Sequence, residues 1–540
     1  MLSLRNGSST LNDAILRVVR HNFLAVRLQS HISVAPEVAL EEIISERSSS
    51  VKPYSEVPGP RPLPLIGNTW RVLPYIGQYA VSDLARVSKI FNEKYGKVVK
   101  LSGLVGRPDL LFVFDCDEIE KVYRQEGPTP YRPSMPCLVQ YKSKVRRDFF
   151  GDLPGVVGVH GEPWREFRTK VQKPILQPKI VKQYIKPIEQ VTDDFINRML
   201  TLRDTNLELP GDFDNEIHKW SLECIGRVAL DVRLGCLDAR NSGENSEPQK
   251  IIDAAKFALR NVAVLELKMP FWRYLPASAL WNRYVKNMDF FREVCMKYID
   301  EAMERLRNKD PDNPNNELSL VERILADEPD PKTAYILALD LILVGIDTIS
   351  MAVASILYQV ATRPEEQEKL YQEVKKVLPD KNATLTAQDL ENMPYQRAFV
   401  KEVLRKYSTV IGNGRTLMKD MVIGGYHIPK GVQLVFPTIV TGNMEEYVSD
   451  ASSFKPERWL NKQQCPVHTD KIHPFASLPY GYGARMCLGR RFADLEIQVL
   501  LAKLLRSYKL EFNHDPLDYQ VTFMYAPDGK LQFKMTERND

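Results

Sequence analysis

Between Thr333 and Thr362 the chain carries only two charges, Asp340 and Asp347, and Pro364 follows the run. About 30 residues at 1.5 Å each make a helix of ~45 Å, enough to cross a large domain. A helix this apolar has to be covered on every side, so the rest of the chain must be arranged around it. Length and apolarity alone would also suit an integral membrane protein spanning with residues 333–362. The two acids weigh against lipid. Placed mid-helix, with Thr348 and Ser350 beside the second, they are costly there and usually mark function. The expectation is a helix buried in protein.

A second stretch carries chemistry: Pro479-Tyr480-Gly481-Tyr482-Gly483-Ala484-Arg485-Met486-Cys487-Leu488-Gly489-Arg490-Arg491. A helical pattern opens directly after it, with Phe492, Leu495, Val499 and Ala502 on one side. Glycines let backbone turn tightly and come close to a flat ligand. A thiol among cations at a helix start is pushed toward thiolate, the form that binds metals. These residues can therefore hold a thiolate against a flat cofactor. A buried structural cysteine in a loop before a helix fits them equally.

The 540 residues hold 73 basic and 69 acidic side chains, a formal net charge of +4. That balance argues against nucleic acid as the main partner. Seven scattered cysteines, with no CxxC pair, argue against a zinc site or a disulfide framework and fit a reducing compartment. Length alone would allow three or four domains, but no repeat or Gly/Ser linker divides the chain. The first fifty residues are basic and acid-poor. Ile15, Val19, Phe23 and Val26 have helical spacing, with Arg17, Arg20 and Arg27 among them. This predicts a mitochondrial transit peptide, a disordered basic tail being the alternative.

Residues 51–68 contain Val57-Pro58-Gly59-Pro60-Arg61-Pro62-Leu63-Pro64, a stiff extended hinge by its proline content. A helix is expected near 83–95, strands over 98–101 and 110–113, and loop from Tyr131 to Gly158. Amphipathic helices are expected over 252–264, 284–305 and 364–377, with a polar loop over 308–316 and two short strands within 425–436 around Pro429-Lys430-Gly431. Trp164 and Arg168, four apart, share a helical face and could clamp a carboxylate, although such pairs are commonly surface packing. Glu402 and Arg405, three apart, could pair along a helix.

Taken in order, these stretches resemble the cytochrome P-450 family. The cysteine loop is similar to that family's haem-binding F-x-x-G-x-R-x-C-x-G, with Gly483, Arg485, Cys487 and Gly489 in register and Tyr480 where the family usually has Phe. Val344-Gly345-Ile346-Asp347-Thr348-Ile349 resembles its [AG]-G-x-[DE]-T-[TS], departing at Val344 and Ile349. Glu402 and Arg405 match E-x-x-R, Pro456-Glu457-Arg458-Trp459 matches P-E-R-W, and Trp164 with Arg168 matches W-x-x-x-R.

The resemblance implies one large, mainly α domain with small β-sheets over residues 69–540 and haem b (iron protoporphyrin IX) buried between the long helix and the cysteine loop. It implies Cys487 as the iron ligand, whose thiolate donates electron density that favours O–O cleavage. Trp164, Arg168, Gly345, Arg415, Tyr480, Arg485 and Gly489 would bind the cofactor. Asp347 and Thr348 would relay protons, and Gly345 would leave room for the ligand. Glu402, Arg405 and Arg458 would form a structural cluster, and the 131–158 stretch would be mobile over the pocket. Basic Arg397, Lys401, Arg490 and Arg491 stand where the mitochondrial branch receives an acidic iron–sulfur ferredoxin, itself reduced by an NADPH-dependent reductase. The implied activity is monooxygenation of small apolar substrates, xenobiotics or steroids, with dioxygen, on the matrix side at the inner mitochondrial membrane. Val410, Ile411 and 523–525 are the expected pocket. A haem-thiolate peroxide isomerase or dehydratase and a non-catalytic haem sensor are the alternatives.

Overall fold

The computed structural model describes residues 51–539 except 74, 81–82, 134, 153–154, 242, 268–277, 309–317, 329, 462–470 and 522–523. The predicted transit peptide, most of the 308–316 loop and Phe523 fall outside the described residues.

The apolar run is one helix, Lys332–Ala361, and 83% of its most apolar 18-residue window is buried inside the protein. Protein covers it, as its two acids imply. Its most extensive partner is the crossing helix Phe213–Ala229, itself buried on nearly every side. Gly345 stands at that crossing. A Cβ there would come within 3.2 Å of Ile225 Cγ1, so the glycine lets two helices close on each other.

Helices Glu247–Leu267, Ala279–Arg307 and Leu320–Asp327 pack around the same pair. Helices Pro364–Val377, Pro394–Lys406 and Arg490–Ser507 close the other side. Asp340, one of the two acids, is structural. Its carboxylate accepts from Lys142 Nζ at 2.6 Å and from the N–H groups of Val156 and Val157 at 2.8 and 3.1 Å. The 131–158 stretch, expected to be loop, therefore contains helical turns at Pro136–Gln140, Tyr141–Val145 and Arg147–Phe150 and is tied to the central helix.

Strands β1 (Val98–Leu101), β2 (Leu110–Val113), β3 (Asn413–Thr416) and β6 (Gln433–Phe436) form a four-stranded sheet in the order β1-β2-β6-β3. The two strands expected around Pro429-Lys430-Gly431 both exist, but they do not pair with each other. The first, β5 (Tyr426–Ile428), pairs with β4 (Met421–Ile423), whereas β6 joins β2 in parallel and β3 antiparallel. Register sets Arg415 opposite Leu434, with its side chain buried. The Pro-rich segment lies along β1, where Lys100 N–H donates to Pro58 O at 2.8 Å, and the buried Asn68 amide donates to Pro60 O and Ser102 O.

Glu402 is the hub of a cluster whose three charged members, Glu402, Arg405 and Arg458, are buried. It takes both Arg405 nitrogens at 2.7 and 2.9 Å, Arg458 Nε at 3.2 Å and Trp459 Nε1 at 2.9 Å. What looked in sequence like an ordinary helical pair is thus an interior knot joining the Pro394–Lys406 helix to the Pro456–Trp459 turn.

Candidate functional site

The cysteine loop owes its path to two glycines. Gly481 and Gly483 have φ of 72° and 74°, where a side chain would be strained, and Cys487 N–H then closes on Tyr480 O at 2.8 Å. Among the described residues Cys487 is the one cysteine with an exposed side chain. The recess it opens on is nonetheless poorly solvated, and this pushes its thiol above the ordinary value despite the Gly489 N–H and the nearby Arg132 and Arg168. The cations alone therefore do not produce the thiolate that the sequence suggested. A metal that replaces the proton would. A Cβ at Gly489, two residues on, would meet no atom within 4 Å.

Around that recess the charges do not balance. Arg485 stacks on the Trp164 ring at 3.5 Å, donates to Pro130 O, and is lowered to about 9 by burial and by Arg132, Arg415 and Arg168. Arg168 donates to Met486 O at 2.9 Å and keeps a buried Nε without a partner. Arg415 pairs with Glu126 and donates to Gly414 O. Arg132 has no hydrogen-bond partner among the described residues, and burial lowers it. His160, stacked on Tyr131, is held to about 4 by burial and the neighbouring arginines, so it is neutral. Four guanidiniums thus outnumber the two carboxylates nearby, Glu126 beside Arg485 and Asp494 near the thiol. A flat group carrying a thiolate-seeking metal and two carboxylates fits this donor set, the open space at Gly489 and the orphaned Arg168 Nε. Arg132 and Glu126 were missed in sequence. Their only signal was an acid just before the Pro-rich stretch 127–133 and a cation within it.

Tyr480, the departure from the family's Phe, donates its hydroxyl to Asp494 Oδ1 at 2.7 Å, and Arg490 lies 3.5 Å from the same carboxylate. The extra polar atom is satisfied. Burial holds both Tyr480 and Asp494 above their ordinary values.

On the central helix Val344, Gly345 and Thr348 form a half-exposed face on an otherwise buried segment. Thr348 Oγ1 donates back to Val344 O at 2.7 Å, and Ile346 O takes hydroxyls from both Ser350 and Ser221. Side-chain bonds of this kind loosen the helical ladder. Gly345 was expected to clear space for a ligand, and a Cβ there would also meet Ile225 of the crossing helix. Asp347 is buried and meets His218, with Oδ1 3.2 Å from Nε2. Val410 packs with Met351, Met524 and Ala526 in a small apolar cluster. Ile411, expected beside it, turns instead to the cluster under β1 and β2.

Of the basic residues expected to dock a partner, Lys401 is brought close to Arg397 and Arg490, and its own partial burial, then their like charges, lower it. Lys401 also lies over the Trp459 ring. Arg397 caps the turn before its helix through Leu390 O and Glu391 O, and Arg491 is drawn to Leu176 O.

The cytochrome P-450 family model matches residues 57–533. The chain is 63% identical over 518 residues to "Probable cytochrome P-450 301a1, mitochondrial" of Drosophila melanogaster, covering 96% of this chain and 93% of that one. It is 47% identical over 509 residues to "Probable cytochrome P-450 49a1" of the same organism, with 92% and 85% covered. It is 35% identical over 497 residues to "Probable cytochrome P-450 12a5, mitochondrial", with 90% and 91% covered. A free cysteine opening on a cationic recess, and a match that spans nearly the whole chain, lead to one conclusion: the protein belongs to the cytochrome P-450 family of haem-thiolate monooxygenases.

Proposed function

We propose that the protein is a mitochondrial monooxygenase that hydroxylates small apolar substrates, xenobiotics or steroids, with electrons from an acidic iron–sulfur ferredoxin and its NADPH-dependent reductase. The observation that carries this reading is the excess of cations beside the Cys487 thiol, where four guanidiniums outnumber the Glu126 and Asp494 carboxylates. Cys487 would ligate the iron, and Trp164, Arg168, Arg415 and Arg485, joined by Arg132, would hold the two propionates. Haem held there supplies the activation of dioxygen and the transfer of one oxygen atom to a C–H bond.

The protein's own residues do the rest. Met351, Met524, Ala526 and Val410 offer an apolar wall that orients a greasy substrate and keeps water away. Thr348, on the half-exposed face, offers a hydroxyl to the pocket, and Asp347 next to it carries the proton to be delivered. Lys401, Arg397 and Arg490 form the cationic face for the ferredoxin. Complementary charge raises encounter rate and fixes orientation more than it adds affinity, which suits a partner that must leave after each electron.

Mitochondrial placement is supported by the names of two relatives and by the basic leader. Peripheral membrane association is supported by exposed Leu63, Leu65, Ile66, Tyr75 and Ile76, with Arg61 and Arg71 among them.

Replacing Cys487 with Ala should abolish the carbon-monoxide difference band of the reduced protein, and an unchanged band would overturn the ligand assignment. A binding-spectrum screen of steroids and plant or synthetic toxins then identifies the substrate class.

A further inference from the structure

A lysine reacts as a nucleophile only when its amine is exposed, unpaired and partly unprotonated, and these conditions seldom coincide. Four lysines among the described residues are held below their ordinary value, each chiefly by burial: Lys100, Lys256, Lys401 and Lys406. Three of them have committed the amine elsewhere. Lys100 donates to Tyr54 O at 2.9 Å and to Ser55 O at 3.2 Å. Lys256 Nζ lies 3.4 Å from Asn215 Oδ1 and 3.7 Å from Asp214 Oδ2. Lys406 donates to Ala451 O at 3.3 Å and also to Ser452 O. All three are half-buried. Lys401 alone is exposed, and it forms no hydrogen bond or ion pair among the described residues.

Its surroundings account for this. Arg397 stands one turn before it on helix Pro394–Lys406, and Arg490 comes from the start of helix Arg490–Ser507. Both disfavour a third positive charge. Both are also anchored. Arg397 donates to Leu390 O at 2.6 Å and to Glu391 O at 3.1 Å, and Arg490 Nε lies 3.5 Å from Asp494 Oδ2. The Trp459 ring, from the Pro456–Trp459 turn, has its centroid 5.7 Å from Lys401 Nζ and keeps water from one side of the amine. Asp494 acts in the opposite sense, but its carboxylate is already shared between Arg490 and the Tyr480 hydroxyl. Glu457, on the same turn as Trp459, is taken by Lys369 at 2.7 Å. The result is a free amine set between two fixed guanidiniums.

We propose that Lys401 is an acyl-acceptor site: its amine takes the acyl group of a thioester whose carrier bears phosphates, and Arg397 with Arg490 holds those phosphates. The nitrogen lone pair attacks the thioester carbonyl carbon. A C–N bond forms and the C–S bond breaks. Sulfur leaves with the bonding pair and accepts the proton that nitrogen sheds, so the products are an amide and a thiol. Nothing is oxidised or reduced. The same like charge that frees the amine also recruits the anion, because guanidiniums match phosphate geometry. An amide carries no charge, so each acylation removes one cation from the face read above as the ferredoxin's landing surface. That consequence rests on the docking reading; the chemistry at Nζ does not.

The test incubates the full-length haem-loaded protein with acetyl-coenzyme A, without any acyltransferase, and follows acetylation of each lysine by peptide mass spectrometry. Lys89, exposed and paired with Glu93 at 3.8 Å, is the internal reference. Lys401 should be acetylated at least about ten-fold faster, since each pH unit below the ordinary value gives about ten times more free amine. Equal rates at Lys401 and Lys89 overturn the proposal. The double variant Arg397→Gln, Arg490→Gln should lose most of the advantage. It should lose more with acetyl-coenzyme A than with S-acetyl-N-acetylcysteamine, a thioester without phosphate, and equal losses overturn the role given to the arginines. If that variant loses the carbon-monoxide band, competition on wild type carries the comparison: inorganic pyrophosphate should slow acetyl-coenzyme A and spare the neutral thioester, and no such difference overturns the same role. Stopped-flow reduction by an iron–sulfur ferredoxin reads the consequence. Acetylated wild type should be slowed as Lys401→Gln is, whereas Lys401→Arg, which keeps the charge without the amine, should not be slowed by the same treatment. Acetylation at Lys401 with unslowed reduction would leave the acyl site standing and overturn the docking reading.

Discussion

Glu496 sits within the Arg490–Ser507 helix with both carboxylate oxygens buried and unpartnered. Burial alone raises its carboxyl from 4.5 to about 8. Between those values the folded protein keeps a proton that the unfolded chain has released. Stability therefore falls as pH rises through that window, by up to about 1.4 kcal/mol per pH unit. Glu496→Gln should remove the slope. The variant should match wild type near about pH 5 and melt higher at pH 8, and parallel melting curves across that range would show that the carboxyl has a partner in solution. Nothing in sequence flagged this residue, because a glutamate in a helical pattern looks the same whether it faces water or the core. Tyr480 teaches the reverse. The departure from Phe was visible at once, and its meaning came only with Asp494 at 2.7 Å, fourteen residues on.

At the scale of elements, periodicity and proline placed the regular pieces well. Helix Pro364–Val377 begins and ends as the sequence implies, the 83–95 helix starts one residue later with Asp83 as its cap, and β1 and β2 fall where expected. The 131–158 stretch was not legible because its order comes from Asp340, nearly two hundred residues away in the chain. Removing one member of such a buried pair leaves the other charge unpaired and costs about 3–5 kcal/mol. Asp340→Asn should therefore lower the denaturation midpoint and expose the 136–157 segment to proteolysis. Adding Lys142→Met should recover much of the stability, because the amide oxygen still accepts from Val156 and Val157 N–H. No recovery in the double variant would mean that the ammonium serves another contact.

For the whole molecule, the motifs told which residues would gather but not what would join them. Arg132, Glu126 and His218 reach the site through topology alone, and residue spacing holds no trace of that. The partner face was legible as basic pairs, yet only Lys401, Arg397 and Arg490 come together, while Arg491 is drawn to Leu176 O. Lys401→Gln should reduce kcat/KM for ferredoxin roughly ten-fold at low salt and flatten its salt dependence, since it removes a steering charge. Stopped-flow reduction across ionic strength measures this, and an unchanged salt profile would place docking elsewhere. The crossing at Gly345 has a different reach. Ile225 presses from behind so closely that another methyl group would have to push it back by a few tenths of an ångström. Natural variants at that site would tilt the pocket's ceiling without ever showing a new atom to the molecule being oxidised. A population survey that sorts alleles by their view of the substrate would overlook them, although they are a cheap way for selection to change what the enzyme accepts.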